Sequence, residues 1–293
     1  MIEIEEFIKY FYNIDVNKIS NKEDRYILES NSKKYMLVDY IKNPKKLYEN
    51  YIIFKNSNMC CHDIVLNKYG NILSEYDGKK YLLLKRNINS NSNLTVDDIL
   101  SNNIINIKNK FDIREKWELK NEYYENIISK LSNDNKYIKE SFDYYIGLSE
   151  LSINLLSYIN FNNINSYVQH DRVSYNESIE EFYNPINMLV DSKIRDLALY
   201  LKSNFFNNCI VPDIPQIINK LNINLDEAIL FISRMIYPDY YFDIIDEIVN
   251  YNINDDKLKE CIKKSTNYEI FIKKIYKYLN QYYSIPKIDF LIK

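Results

Sequence analysis

Few residues in this chain could carry chemistry. The two histidines are His62 and His170, and the four cysteines are Cys60, Cys61, Cys209 and Cys261. Cys60-Cys61-His62 gathers three metal-ligating side chains. Adjacent cysteines rarely suit a tetrahedral site, however, no C-x-x-C occurs, and no second ligand cluster stands nearby, so no metal is expected. Phosphate chemistry is constrained more sharply. The only glycines are Gly70, Gly78 and Gly147, where about twenty would be expected at a usual frequency of roughly 7%. A dinucleotide fingerprint, a Walker A loop and a nucleophile elbow all need closely spaced glycines, because backbone must approach a phosphate or turn sharply. The closest pair, Gly70 and Gly78, is eight residues apart. The chain has no glycine loop to cradle a phosphate.

The 293 residues, 46% hydrophobic and 27% charged, allow one large domain or two modest ones. A formal charge of −3 gives no basic footprint, so no nucleic-acid partner is expected. The 29 tyrosines accompany abundant Asn, Ile and Lys and scarce Ala, the signature of AT-rich codons. A second reading, that exposed tyrosines serve cross-linking, is not decided by composition. The start, Met1-Ile-Glu-Ile-Glu-Glu, is acidic where a signal peptide is basic. No apolar run approaches the ~18 residues of a membrane span. An intracellular protein with reduced thiols is expected.

Two regions must position whatever site exists. Up to about Ser90 the pattern mixes helix and strand. Glu3 to Tyr12 reads as an amphipathic helix, followed by strands at Arg25–Ser30 and Lys34–Tyr40 around an Asn31-Ser32 turn. A helix over Lys45–Asn56 begins beside Pro44. Strands at Ile64–Asn67, Ile72–Tyr76 and Lys80–Lys85 follow, with turns at Gly70 and at Asp77-Gly78. Asn87 to Asn93 is polar, of low complexity, and reads as the linker. Beyond it helices are expected at Lys116–Leu131, Phe142–Tyr158, Ser192–Phe206, Leu225–Met235, Phe242–Val249 and Tyr268–Tyr282. The division is therefore 1–90 and 91–293, and the class is α+β.

A small β-rich lobe with one helix after its first strands, then a larger helical lobe, is the layout of the protein-kinase-like fold. Four stretches narrow this. They are Ser141-Phe-Asp-Tyr-Tyr-Ile-Gly-Leu-Ser-Glu, which contains Gly147, and Val168-Gln-His-Asp-Arg-Val. The third runs from Tyr183-Asn-Pro to Val190-Asp-Ser-Lys-Ile-Arg-Asp-Leu-Ala, containing Arg195 and Asp196. The last is Ile232-Ser-Arg-Met-Ile-Tyr-Pro-Asp-Tyr-Tyr-Phe-Asp, containing Arg234 and Pro238. In this order they resemble the spore-coat-associated kinase-like proteins of endospore-forming bacteria, the CotS and YutH types, relatives of the aminoglycoside phosphotransferases. The resemblance implies a two-lobe kinase-like fold and a role in sporulation or the spore coat.

Phosphoryl transfer on this fold uses a strand lysine with a helix glutamate, a catalytic-loop aspartate, an asparagine five residues later, and a further metal-binding aspartate. By the resemblance, Val38 stands where relatives carry the lysine, so Glu49, at the place of the helix glutamate, would lack its partner and reads rather as a solvated helix-face charge. His170-Asp171-Arg172 matches the family's active His-Gly-Asp, so Arg172 replaces the catalytic aspartate. An arginine is never a general base, because its pKa exceeds 12. Counting back from Asp196 puts Asn184 in the metal position, and asparagine holds magnesium more weakly than a carboxylate. Asp171 and Asn176 keep a D-x-x-x-x-N spacing, the alternative alignment. Arg195 beside Asp196 reads as a structural ion pair or hydrogen-bond hub. Losing these parts together is hard to repair, since such catalysis is positioning plus charge neutralisation.

The expectation is thus a pseudokinase: no cofactor, and protein partners from the spore coat or its assembly machinery. It would reside in the mother-cell cytoplasm or the coat. The alternative is a divergent phosphotransferase using Asp171 and Asn176 with ATP and magnesium.

Overall fold

The computed structural model of the chain describes residues 4–22, 25–88, 90, 92–101, 104–105, 113–131, 135–251 and 254–292. The chain opens with α1 (Ile4–Tyr12), β1 (Lys18–Lys22), β2 (Arg25–Ser30), β3 (Lys33–Asp39) and α2 (Pro44–Asn56). Next come β4 (Asp63–Val65), β5 (Leu73–Tyr76), β6 (Lys79–Lys85), α3 (Val96–Leu100) and β7 (Ile104–Ile105). Then follow α4 (Ile113–Leu131), α5 (Lys136–Leu155), β8 (Ser166–His170), α6 (Ile179–Phe182) and β9 (Met188–Asp191). The last elements are α7 (Arg195–Phe206), α8 (Ile214–Leu221), α9 (Leu225–Ile236), α10 (Asp239–Tyr251), α11 (Asp256–Leu279) and α12 (Asp289–Ile292).

These elements form two compact units. The first comprises Met1–Leu94, Asn103–Ile105 and Asn176–Val190, and the second comprises Thr95–Asn102, Asn106–Tyr175 and Asp191–Lys293. The first is the small β-rich part. Its antiparallel sheet runs β1-β2-β3-β6-β4, with β5 also paired to β6. Alternation puts Leu28, Tyr35, Leu37, Tyr81 and Leu83 on one face, where Phe7 and Ile8 of α1 cover them. Asn43 starts α2 by accepting the amides of Lys45 and Lys46 at 3.0 and 3.3 Å, with Pro44 in the first turn. Gly70 (φ 77°) and Gly78 (φ 72°) occupy left-handed turn positions that side-chain-bearing residues adopt only under strain.

The second unit is helical. Its core is mainly isoleucine and leucine, and several of the chain's many tyrosines are built into it: Tyr124, Tyr145, Tyr237, Tyr241 and Tyr268 are all fully buried. Tyr145 stacks on Tyr241 with ring centroids 3.8 Å apart, Tyr124 on Phe242 at 4.3 Å, and Trp117 on Tyr237 at 4.0 Å. Where rings are absent the helices come close. Ser233 of α9 donates to the carbonyl of Ser152 in α5 at 2.7 Å.

Several expectations need correction. β1 was not anticipated, because Lys-Ile-Ser-Asn-Lys is exposed at four of five positions and has no buried alternation, as befits a sheet edge. The short α3 and α8 were also unforeseen. α11 starts twelve residues before Tyr268, since its lysine-rich first turns bury only Leu258 and Cys261. The described residues of the expected linker are engaged by the first unit. Ser92, Asn93 and Leu94 bond to Ile179, Ser178 and Glu177, all within the first unit; residues 89 and 91 lie outside the described ones.

α5 begins at Lys136, capped by Asn135, six residues before the expected Phe142, and Gly147 sits well inside the helix. A Cβ built on Gly147 meets nothing within 4 Å. Gly147→Ala should therefore stabilise the protein by about 1 kcal/mol, the helix-interior difference between the two residues. Urea unfolding checks this, and a loss of stability would show that the position requires glycine.

Candidate functional site

Within the second unit, β8 carries His170 into a fully buried position at the head of α7. The strand's burial at every residue leaves its last backbone groups in need of partners, and α7 supplies them. Asp196 accepts the His170 amide at 2.9 Å and meets His170 Nδ1 at 2.6 Å. The Asp196 amide in turn donates to Gln169 Oε1 at 2.9 Å. Arg195 reaches back from the same turn, donating to the carbonyls of His170 at 2.7 Å and Asp171 at 3.2 Å. The loop backbone is thus held from both sides by neighbouring residues of one helix turn.

A second layer sits behind it. Asp191 accepts from Ser192 at 2.6 Å and is paired with Arg195 at 3.1 Å and Arg234 at 2.5 Å. Burial opposes its ionisation, yet Arg234, Arg195 and the Ser192 amide outweigh it and hold the carboxyl below the usual range. Arg234 comes from α9, whose end is tied by Lys202. That buried ammonium donates to the carbonyls of Arg234 (2.8 Å) and Tyr237 (3.2 Å) and to the Asp239 carboxylate (2.6 Å). Burial lowers the Lys202 pKa despite Asp239. Pro238 lies at this junction, its carbonyl receiving the amides of Tyr241 and Phe242 at the start of α10.

Arg172 points away from this hub. Its side chain is exposed and donates to Asp243 of α10 at 2.7 Å. Arg172, Lys202, Asp239, Asp243, Phe206 and Tyr240 line one cavity of about 500 Å³. Its polar lining consists of opposite charges already paired with each other. Asp171 is half exposed, with its carboxylate 3.7 Å from Arg195. The sequence reading missed Gln169, Lys202, Asp239 and Asp243. The last two lie inside the Pro238-Asp-Tyr-Tyr-Phe-Asp stretch, and Lys202 follows Arg195 at a two-turn helical interval, a signal that was available.

The other expected site residues lie in the first unit. Val38 on β3 pairs directly across from Arg25 on β2, which therefore emerges on the same sheet face. Arg25 is ion-paired with Glu181 of α6. Glu180 is ion-paired with Arg86, and both side chains are nearly buried. Asn184 is buried and locally engaged, donating to Glu181 at 3.3 Å and accepting the Ile186 amide at 3.1 Å. Glu49 is a solvated charge on α2, its carboxylate 4.0 Å from Lys45. Asn176 belongs to this unit and Asp171 to the other. His62 is buried and accepts the Asn87 amide at 3.3 Å; burial pushes its pKa down to about 4, so the ring is neutral. Cys60 is exposed while Cys61 is buried. Among the described residues no three His, Cys, Asp or Glu side chains are grouped to hold a metal. No described helix is long and apolar enough to cross a membrane.

A family profile described as "Spore coat putative kinase YutH" matches residues 108–275, more than half of the chain. No curated protein matches. Solved structures show the fold. An aminoglycoside phosphotransferase from Alicyclobacillus acidocaldarius is 9% identical, with TM-score 0.62 over 91% of this chain and 93% of that one. A spectinomycin phosphotransferase in complex with AMP is 15% identical, with TM-score 0.57 over 91% and 92%. The choline kinase LicA from Streptococcus pneumoniae is 12% identical, with TM-score 0.55 over 90% and 97%. The small antiparallel sheet and larger helical part described above are those of this kinase-like fold.

Proposed function

We propose, from the premise that this chain belongs to the spore coat YutH kinase family, that it is a catalytically inactive kinase-fold protein. It acts through its surfaces, as a structural or interaction component in sporulation or in the spore coat. Its partners are proteins of the coat or of the machinery that assembles it, and its place is the mother cell or the coat itself.

One observation carries the reading. The loop that would do chemistry is built and pinned, but the residue it presents is Arg172, a cation paired with Asp243. A guanidinium neither takes a proton from an attacking hydroxyl nor holds magnesium. The rest of the donor set also fits a magnesium nucleotide poorly. Val38 is apolar, the Asn184 amide is committed locally, and Asp191 is already neutralised by two arginines. Such a framework keeps a shape while giving up the reaction.

Isothermal titration with ATP and magnesium tests this. The expected result is no metal-dependent heat of binding and no ATP turnover against a panel of small alcohols, amines and proteins. Tight magnesium-dependent binding would overturn it. The half-exposed Asp171 keeps a second reading in view, a phosphotransferase using Asp171 and Asn176 with ATP and magnesium. That reading requires turnover in the wild type which Asp171→Ala abolishes. Deletion of the gene followed by spore microscopy tests the coat role.

A further inference from the structure

The site hub above absorbs no exposed tyrosine, yet two of them meet on the first unit. Tyr10 of α1 and Tyr69 of the turn before β5 are each more than half exposed, and their hydroxyl oxygens are 3.1 Å apart. The contact joins segments 59 residues apart in sequence, and the surroundings hold it in place. Phe11 lies against both rings, with centroids 5.0 Å from Tyr10 and 6.4 Å from Tyr69. The Lys68 ammonium sits 3.4 Å from the Tyr10 ring centre and 5.1 Å from that of Tyr69. The Lys68 amide donates to the Phe11 carbonyl at 2.7 Å, tying the turn to the end of α1.

The turn itself is rigidly built. Buried Asn67 accepts the amides of Tyr69 and Asn71, both at 3.0 Å, and donates to Leu73 and Ser74. Ser74 then donates to Tyr12 at 3.1 Å, back on α1. Two phenols are therefore presented to solvent at fixed separation, sharing one hydrogen bond. The hydrogen bond with Tyr10, with Lys68 beside it, holds the Tyr69 hydroxyl below the usual phenol range.

We propose that Tyr10 and Tyr69 form a site of oxidative phenol coupling, joined to each other within one chain by hydrogen peroxide and a haem peroxidase. Each phenol gives up one electron and its hydroxyl proton, leaving two phenoxyl radicals. A carbon–carbon bond forms between ring carbons ortho to the oxygens, and the two ring protons return to the oxygens as aromaticity is restored. The peroxide O–O bond breaks, and peroxide is reduced to two waters by the two electrons and two protons released. A phenoxyl that accepts a hydrogen bond from its neighbour is stabilised where the partner radical must arise. Fixed contact replaces a chance encounter between two molecules.

The test treats the full chain, at low concentration, with peroxide and a haem peroxidase. Dityrosine fluorescence is followed, and tryptic peptides are then mapped by mass spectrometry. The expected product is residues 10–18 linked to residues 69–79, lighter by two hydrogens than the sum of the two peptides. Those peptides also contain Tyr12 and Tyr76, so the variants decide the assignment. Tyr10→Phe and Tyr69→Phe each keep the ring and remove the hydroxyl, and each should abolish the linked peptide. A link that persists in either variant, or coupling that appears only between chains, overturns the proposal. Circular dichroism of both variants confirms that the fold is retained.

Discussion

Replacing Asp191 by alanine is expected to cost about 3–5 kcal/mol of folding free energy, the range found when one member of a buried ion pair is removed. The carboxylate is almost fully buried and faces Arg195 and Arg234, the second of which is itself buried. Alanine leaves the buried Arg234 guanidinium without its ion-pair partner in a low-dielectric surrounding, and the Ser192 amide loses its acceptor. Asp191→Asn keeps the volume and the acceptor oxygen but not the charge, so it should fall between wild type and alanine. Urea unfolding of the three proteins measures this. The result also separates two roles for the residue. If Asp191 serves as a structural anion, stability falls and any response to magnesium is unchanged. A variant that unfolds like wild type but loses magnesium-dependent nucleotide binding would make Asp191 a metal ligand and sink the structural reading.

The second large effect is expected in the first unit. Arg86→Ala strands Glu180, an acid 8% exposed, and should also cost about 3–5 kcal/mol by the same desolvation argument. Here a rescue distinguishes charge from volume. The double variant Arg86→Met with Glu180→Met removes both charges while filling the space, and should recover most of the loss, since buried pairs replaced by apolar residues are often neutral or better. Hydrogen exchange localises the effect. Amides of α6 and the flanking residues 177–183 should lose protection first, because Glu180 lies in that short helix and Arg86 at the end of β6. If the double variant is as unstable as the single one, the pair's contribution is packing of the long arginine stem rather than charge.

Much of the framework was legible in the chain. Alternation in Arg25–Ser30 and the three-and-four spacing of Leu225–Met235 mark a strand and a helix, and those elements appear where the pattern puts them, although α9 is buried at every residue from Glu227 to Ile236 rather than on one face. Failures cluster where burial is slight. The edge strand β1 and the first half of α11 bury too little for their periodicity to show. The site divided in the same way. That Arg172 cannot act as a base follows from residue type alone. Which acid it would contact does not, because Asp243 is 71 residues away and the pairing depends on how α10 is laid down.

The sequence by itself determined the class and one absence: too few glycines for a phosphate loop, and four ordered stretches that resemble a kinase-like family, a resemblance that would put Val38 at the strand-lysine position and Arg172 in the catalytic loop. Residue identity carries those conclusions because they concern what a side chain can or cannot do chemically. The partnerships were decided only by tertiary structure. Asp191, one residue of a matched stretch in the sequence, is the counter-ion of two arginines in the fold, one of them 43 residues away. Arg25 had no assigned role until strand register set it opposite Val38. Among the described residues, some tyrosines became buried rings of the helical core and others stayed exposed, with the hydroxyls of Tyr10 and Tyr69 in contact. Each of these depends on contacts between residues far apart in the chain. Electrostatics and packing act through space, so such contacts leave no local signature in the order of the residues.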